Sequence, residues 1–153
     1  MLNLTHLNQF LEEVKATIDA VNFTDTVADD SELVSVLKDR KETENHYLIA
    51  VIPDYKVIGN ENALKWNNQL MFMVLSKASS RSITKSERNT IIAQVQQTAK
   101  AIVELILEKK SGDNGDFCGI MNEVIEDSIA LSVVWEKAQC HGWIIEIDLL
   151  TKV

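Results

Sequence analysis

Residues 129–150 read IALSVVWEKAQCHGWIIEIDLL. Ile129, Leu131, Val133 and Trp135 alternate with Ala130, Ser132, Val134 and Glu136. Trp143, Ile145, Ile147 and Leu149 alternate in the same way with Ile144, Glu146, Asp148 and Leu150. A period of two marks strands with one buried face, because successive side chains of an extended chain point to opposite sides. Gly142 lies in the connection between the two runs, so the pair reads as an antiparallel hairpin, with Trp135 and Trp143 packed in or near the core.

The longest helical pattern precedes this hairpin. Thr84 and Glu87 are spaced as a capping box, each side chain satisfying a backbone donor of the other. Ile91, Ile92, Val95, Ala99, Ile102, Val103 and Ile106 then hold one stripe. Lys109 and Lys110 sit where the helix dipole favours cations, and Ser111 and Gly112 stop the helix. At about 1.5 Å per residue it spans roughly 35–40 Å, enough to lie along a whole sheet.

Two more strands precede that helix. Residues 46–52 (HYLIAVI) and 69–77 (QLMFMVLSK) are apolar on both faces, as in strands covered on both sides. Pro53, which cannot donate to a ladder, is expected to end the first. Residues 54–64, with Gly59, Asn60 and Asn62, read as an extended loop or a small protruding hairpin.

An N-terminal helix carries Leu4, Leu7, Phe10, Leu11, Val14, Ile18 and Val21 on one stripe, with Asn3 or Thr5 placed to cap it. Polar residues 22–32 are expected to form a loop. Leu33, Val34 and Leu37 fit a short helical turn capped by Asp30 or Ser31, or a short strand. Residues 113–127 (DNGDFCGIMNEVIED) fit a strand or an irregular segment. Strands come in adjacent pairs rather than alternating singly with helices. The expected fold is therefore α+β: an antiparallel sheet of about four strands with the long amphipathic helix and the N-terminal helix on one face. Residues 1–153 read as one domain, with no repeat or interdomain linker.

Composition narrows the function. The chain has 153 residues, 15 Lys plus Arg against 23 Asp plus Glu, and a net charge of -8. Such a balance argues against sequence-specific nucleic-acid binding, which needs clustered positive charge. No apolar run approaches the roughly 18 residues of a membrane helix. The N-terminal MLNLTHLNQFLEE lacks the basic region and cleavage site of a signal peptide. These features point to a cytoplasmic protein with reduced, unpaired Cys118 and Cys140.

The search for reaction chemistry finds no motif. Cys118, Cys140 and His141 are zinc-type ligands without a fourth member or a recognised spacing; two buried thiols and a surface loop histidine are the plainer reading. Cys140 and His141 are adjacent in a strand, so they face opposite ways and do not form a nucleophile–base pair. The DNGD run (Asp113 to Asp116) breaks the calcium-loop pattern at Phe117 and reads as a turn. Glu123, Glu126, Asp127, Glu146 and Asp148 can share a patch if the hairpin lies beside 117–127. Catalysis would require two of them in a cleft with separated pKa values, and a solvated sheet face is the default. No catalytic, cofactor or metal residue is assigned.

Charge placement is more informative. Lys77, Arg81, Lys85 and Arg88 form a basic stretch, and Asp113, Asp116, Glu123, Glu126 and Asp127 an acidic one. A subunit with one basic and one acidic edge can contact its copies head to tail, and such contacts close into rings. Trp66, in the polar stretch KWNNQ, is read either as an exposed interface anchor or as core packing against the long helix.

Two longer elements carry a resemblance. QLMFMVLSKASSRSITKSERNTIIAQVQQTAKAIVELI is a strand, a polar connection and a long amphipathic helix; DSIALSVVWEKAQCHGWIIEIDLL is a strand, a turn and a Gly142-Trp143 strand. The arrangement resembles small phage and prophage head–tail joining and tail-terminator proteins over about residues 46–150. The resemblance implies a non-enzymatic structural subunit of a phage-like particle. It also implies a ring of about six copies, contacts with other structural proteins, no cofactor, and a place in the cytoplasm or the assembled particle. The alternative is a small intracellular binding or regulatory domain acting on a protein partner or small ligand.

Overall fold

The computed structural model describes residues 1–61, 63–79, 81–111 and 123–152. Helix α1 (Leu4–Thr17) is followed by strand β1 (Val21–Val27), helix α2 (Asp30–Lys38), strands β2 (His46–Ile58) and β3 (Lys65–Lys77), helix α3 (Lys85–Ser111), and strands β4 (Ala130–Lys137) and β5 (Cys140–Lys152). The fold is α+β. Its sheet has five strands in the order β1-β2-β3-β5-β4. All neighbours are antiparallel except β1 and β2, which are parallel.

The fifth strand corrects the expected loop at 22–32. β1 hides in a polar sequence because it is an edge strand. Val21 and Val27 are buried at its ends and Phe23 packs on Tyr47. Its hydroxyls bond to α1 instead of a second sheet neighbour: Thr24 Oγ1 donates to Glu12 (3.0 Å) and Thr26 Oγ1 to Asn8 (2.7 Å). The helix between β1 and β2 makes the parallel pairing possible, since parallel strands need a crossover. That helix, α2, is capped by Asp29 rather than Asp30 or Ser31: its carboxylate accepts from the Ser31 and Glu32 amides and is held below the usual carboxylate range by those bonds.

Two strand boundaries also move. Pro53 does not end β2; the β2–β3 register shifts between Val51 and Asp54, and a bulge accommodates a residue without an amide proton. Gly142 is not in the turn. The β4–β5 turn is Ala138–Gln139, both at positive φ, flanked by the paired Lys137 and Cys140. Gly142 lies within β5 opposite Leu75, where β3 approaches too closely for a side chain.

Alternation sorts the sheet into two faces. On one, Leu48, Ala50, Phe72, Val74, Ile145 and Ile147 meet α1 and α3 through Phe10, Val14, Val95, Ala99 and Ile102. On the other, Tyr47, Ile49, Met73, Leu75 and Cys140 meet Leu33 and Leu37 of α2. The helices therefore occupy both faces, with α1 and α3 together as expected. α3 starts with the expected capping box: the Thr84 amide donates to Glu87 (2.6 Å) and the Glu87 amide to Thr84 Oγ1 (3.2 Å). Residues 123–128 run beside β5, where Val124 bridges to Leu149 and the Ile125 amide donates to the Asp148 carbonyl (3.0 Å).

Candidate functional site

Two helices about 10 Å wide cover roughly four strands spaced about 4.8 Å apart. α1 lies over β1 and α3 over β5 and β3. β4, the last strand, has no helix above it among the described residues. Leu131 and Trp135, on the helix side of β4, are accordingly 41% and 56% exposed. Beside them runs one stripe of α3. Arg88, Ile92, Gln96, Lys100 and Val103 recur every three or four residues on that side. Gln96, Gln97, Lys100, Val103 and Leu131 line an open groove of about 400 Å³. At its far end the Arg88 guanidinium stacks 4.8 Å from the Trp135 ring centre. Trp143 is half-buried under the helix and donates its indole N–H to the Ile92 carbonyl (3.0 Å).

β4 pairs with β5 and with no other described strand. An edge strand presents backbone donors and acceptors along its outer side, and exposed apolar residues on such an edge favour pairing with another chain. β4 thus combines an open edge, two large exposed apolar side chains and a groove walled by α3, where Lys100 is ion-paired with Glu104 (3.6 Å).

The basic residues singled out by sequence take different roles. Lys77 is turned inward, donating to the carbonyls of Leu37 (2.9 Å), Lys38 (3.0 Å) and Arg40 (2.6 Å) at the end of α2. There it satisfies carbonyls that a helix end leaves without partners. Arg88 belongs to the groove, and Arg81 and Lys85 are exposed near the start of α3. Among the acidic residues, Glu123 pairs with Lys65 (3.6 Å) and Glu126 with Lys110 (2.8 Å), while Asp127 is exposed. Asp113, Asp116 and Cys118 lie outside the described residues. Trp66 is half-buried on central strand β3, opposite Val57 and Thr151, and away from the β4 edge. Leu131 and Trp135 are the surface residues that the sequence reading placed at the core. The sequence carried no signal for their exposure: two helices cover the four strands expected from it, and only the fifth strand, β1, leaves β4 uncovered.

The other polar constellations are tied into the fold. Cys140 is buried, and burial pushes its thiol up to about 11, with Lys77 acting weakly the other way. His141 is not a surface loop residue: it is buried in β5 opposite Ser76, accepts the Glu136 amide at Nδ1 (3.4 Å), and so leaves Nε2 to donate to the Ala78 carbonyl (3.2 Å). Among the described residues no three His, Cys, Asp or Glu side chains converge as metal ligands. On the α2 side of the sheet, Asp54, Gln69, Met71, Glu146 and Asp148 border an open cavity of about 370 Å³ beside the β2 bulge. No described helix is long and apolar enough to cross a membrane.

Compared with known proteins, the chain matches no family model and none of the curated proteins.

Proposed function

We propose that this chain is a non-enzymatic structural subunit that assembles with copies of itself, as a ring at the head–tail or tail-end junction of a phage-like particle. The observation that carries the reading is the open β4 edge: Leu131 and Trp135 exposed side by side with a groove along α3. A monomer gains nothing from leaving two large apolar groups on an unprotected edge, whereas an assembly interface uses both. The subunit acts in the cytoplasm or in the assembled particle, beside other structural proteins. Native mass spectrometry and electron microscopy of the full chain test it. The expected result is one closed oligomer of about six copies. A strict monomer at high concentration overturns the reading.

A second reading, a small-ligand-binding domain, has one observation in its favour. The cavity beside the β2 bulge is bordered by Asp54, Glu146 and Asp148, a set that would select a cationic ligand. Saturable binding of such a ligand by a monomer would favour it.

A further inference from the structure

β4 carries Leu131, Val133 and Trp135 at alternate positions on its helix side. Resting on the assembly reading above, we infer that two copies join through β4 about a two-fold axis at Val133, with Trp135 of each seated in the α3 groove of the other. Such a contact is isologous: each copy supplies one knob and one groove.

Symmetry fixes the register. A two-fold axis normal to the sheet pairs two β4 strands antiparallel, and directly opposite residues then share a face. The axis must therefore pass through a residue. At Val133, near the middle of the strand, it sets Leu131 opposite the other copy's Trp135 and Ser132 opposite its Val134. An axis at Val134 would set Leu131 opposite Lys137. One at Ser132 would set Trp135 opposite Ile129, which precedes the strand. Val133 is the position that matches apolar to apolar within β4 along its helix side.

The groove then lies where the second Trp135 arrives. Leu131 is its β4 residue, and Gln96, Gln97, Lys100 and Val103 form its α3 wall. Opposite Cβ atoms are about 5 Å apart, so the indole of one copy reaches over Leu131 of the other. An enclosed cavity of about 150 Å³ holds benzene; the groove is open and about 400 Å³, with room for an indole. Its wall from Gln96 to Val103 is about 10 Å long at 1.5 Å per residue. The Arg88–Trp135 stack closes its far end. That shape suits one inserted side chain rather than a helix laid along β4.

Charge does not oppose the pairing. Lys100 is ion-paired with Glu104 (3.6 Å). The two Arg88 groups, each beside its own Trp135, are separated by four residues of strand, roughly 13 Å, which exceeds the Debye length of about 8 Å. Lys77, Glu123 and Glu126, expected from the sequence to join copies head to tail, are engaged within the chain. The paired strip is about 27 Å long for the eight residues of β4. With a flank of about 15 Å out to α3 it covers on the order of 400 Å² per copy, half of a standard interface, so the pair forms reversibly. Within so small an area a buried tryptophan dominates the binding. An assembly of six copies is then three such pairs joined through other surfaces.

Cross-linking across the axis tests the inference. The full-length Ser132→Cys protein is prepared with Cys118→Ser; Cys140 is buried and can stay. Ser132 is exposed and one residue from the axis, so its two copies lie about 8 Å apart. A short bismaleimide is expected to join Ser132→Cys to itself. Asn22→Cys, exposed on β1 at the opposite edge, should join neither itself nor Ser132→Cys. A second arm separates knob from groove: Trp135→Ala removes the knob and Gln96→Phe fills the groove. Each should weaken self-association at least about tenfold. Their mixture should form a heterodimer tighter than either homodimer, because one Trp135 then meets one open groove. An oligomer without the Ser132→Cys self-link, or a mixture no tighter than its parts, overturns the two-fold contact and leaves the assembly reading standing. Self-linked pairs that never grow beyond dimers support the contact and overturn the ring. A chain that is monomeric throughout overturns both.

Discussion

The guanidinium of Arg88, in the first turn of α3, lies 4.8 Å from the centre of the Trp135 ring on the exposed edge strand. The ring is 56% exposed, so it contributes little to the core, and a cation–π contact at such a site stabilises by about 0.5–1 kcal/mol. Trp135→Ala should abolish self-association and, compared with the parent at a concentration where both are monomeric, lower the unfolding free energy by about 1 kcal/mol in urea titrations. A loss above about 3 kcal/mol in the monomer, the cost of removing a core aromatic, would show that Trp135 is buried within the subunit itself.

Gly142 makes the opposite kind of contact. A Cβ there would lie 2.0 Å from the Val74 carbonyl oxygen and 3.0 Å from its carbon. Both are backbone atoms of the central strand β3, which cannot move without breaking its ladders with β2 and β5. Gly142→Ala should therefore destabilise by about 3 kcal/mol or prevent folding. A variant whose urea midpoint matches the parent would refute the close approach. The prediction separates Gly142 from a turn glycine, whose replacement would act through backbone strain instead.

The β4–β5 turn contains avoidable strain. Ala138 (φ 49°) and Gln139 (φ 64°) both adopt the left-handed region, and Glu136 (φ 50°) joins them just before the turn. Two-residue hairpin turns of this form favour Asn-Gly, because other residues place Cβ against the following carbonyl. Ala138→Asn with Gln139→Gly should stabilise the chain by about 1–2 kcal/mol, seen as a higher thermal midpoint. An unchanged or lower midpoint would mean that the turn adopts another conformation.

What the sequence made legible was set by what local pattern can encode. The strands at 46–52, 69–77 and 129–150 and the helix after Thr84 announce themselves because long apolar runs and a capping box are local signals. β1 does not: its Thr24 and Thr26 are satisfied by Asn8 and Glu12 of α1, partners 18 and 12 residues away. Trp135 was assigned to the right face of its strand, but alternation cannot say whether a helix covers that face. Lys77 read as a surface cation because its carbonyl partners lie 37 to 40 residues away. The open edge was therefore visible only once strands and helices could be counted in space.

His46 links the start of β2 to the middle of α3. Its Nδ1 lies 2.8 Å from Thr98 Oγ1, and both residues are buried. Burial disfavours the imidazolium ion and lowers the His46 pKa from its ordinary value of 6.5. The unfolded chain then binds this proton more readily than the folded one, so His46 favours folding fully above pH 6.5. Its contribution declines as pH falls below that value towards the folded pKa, with a slope of at most about 1.4 kcal/mol per pH unit. Urea unfolding at about pH 7.5 and 5.5 should show the parent losing stability on acidification. His46→Gln removes the titrating ring, so its loss over the same range should be smaller. The difference between the two chains isolates His46 from His6 and His141, which both retain. Equal losses in the parent and the variant would show that His46 is not buried as a neutral imidazole.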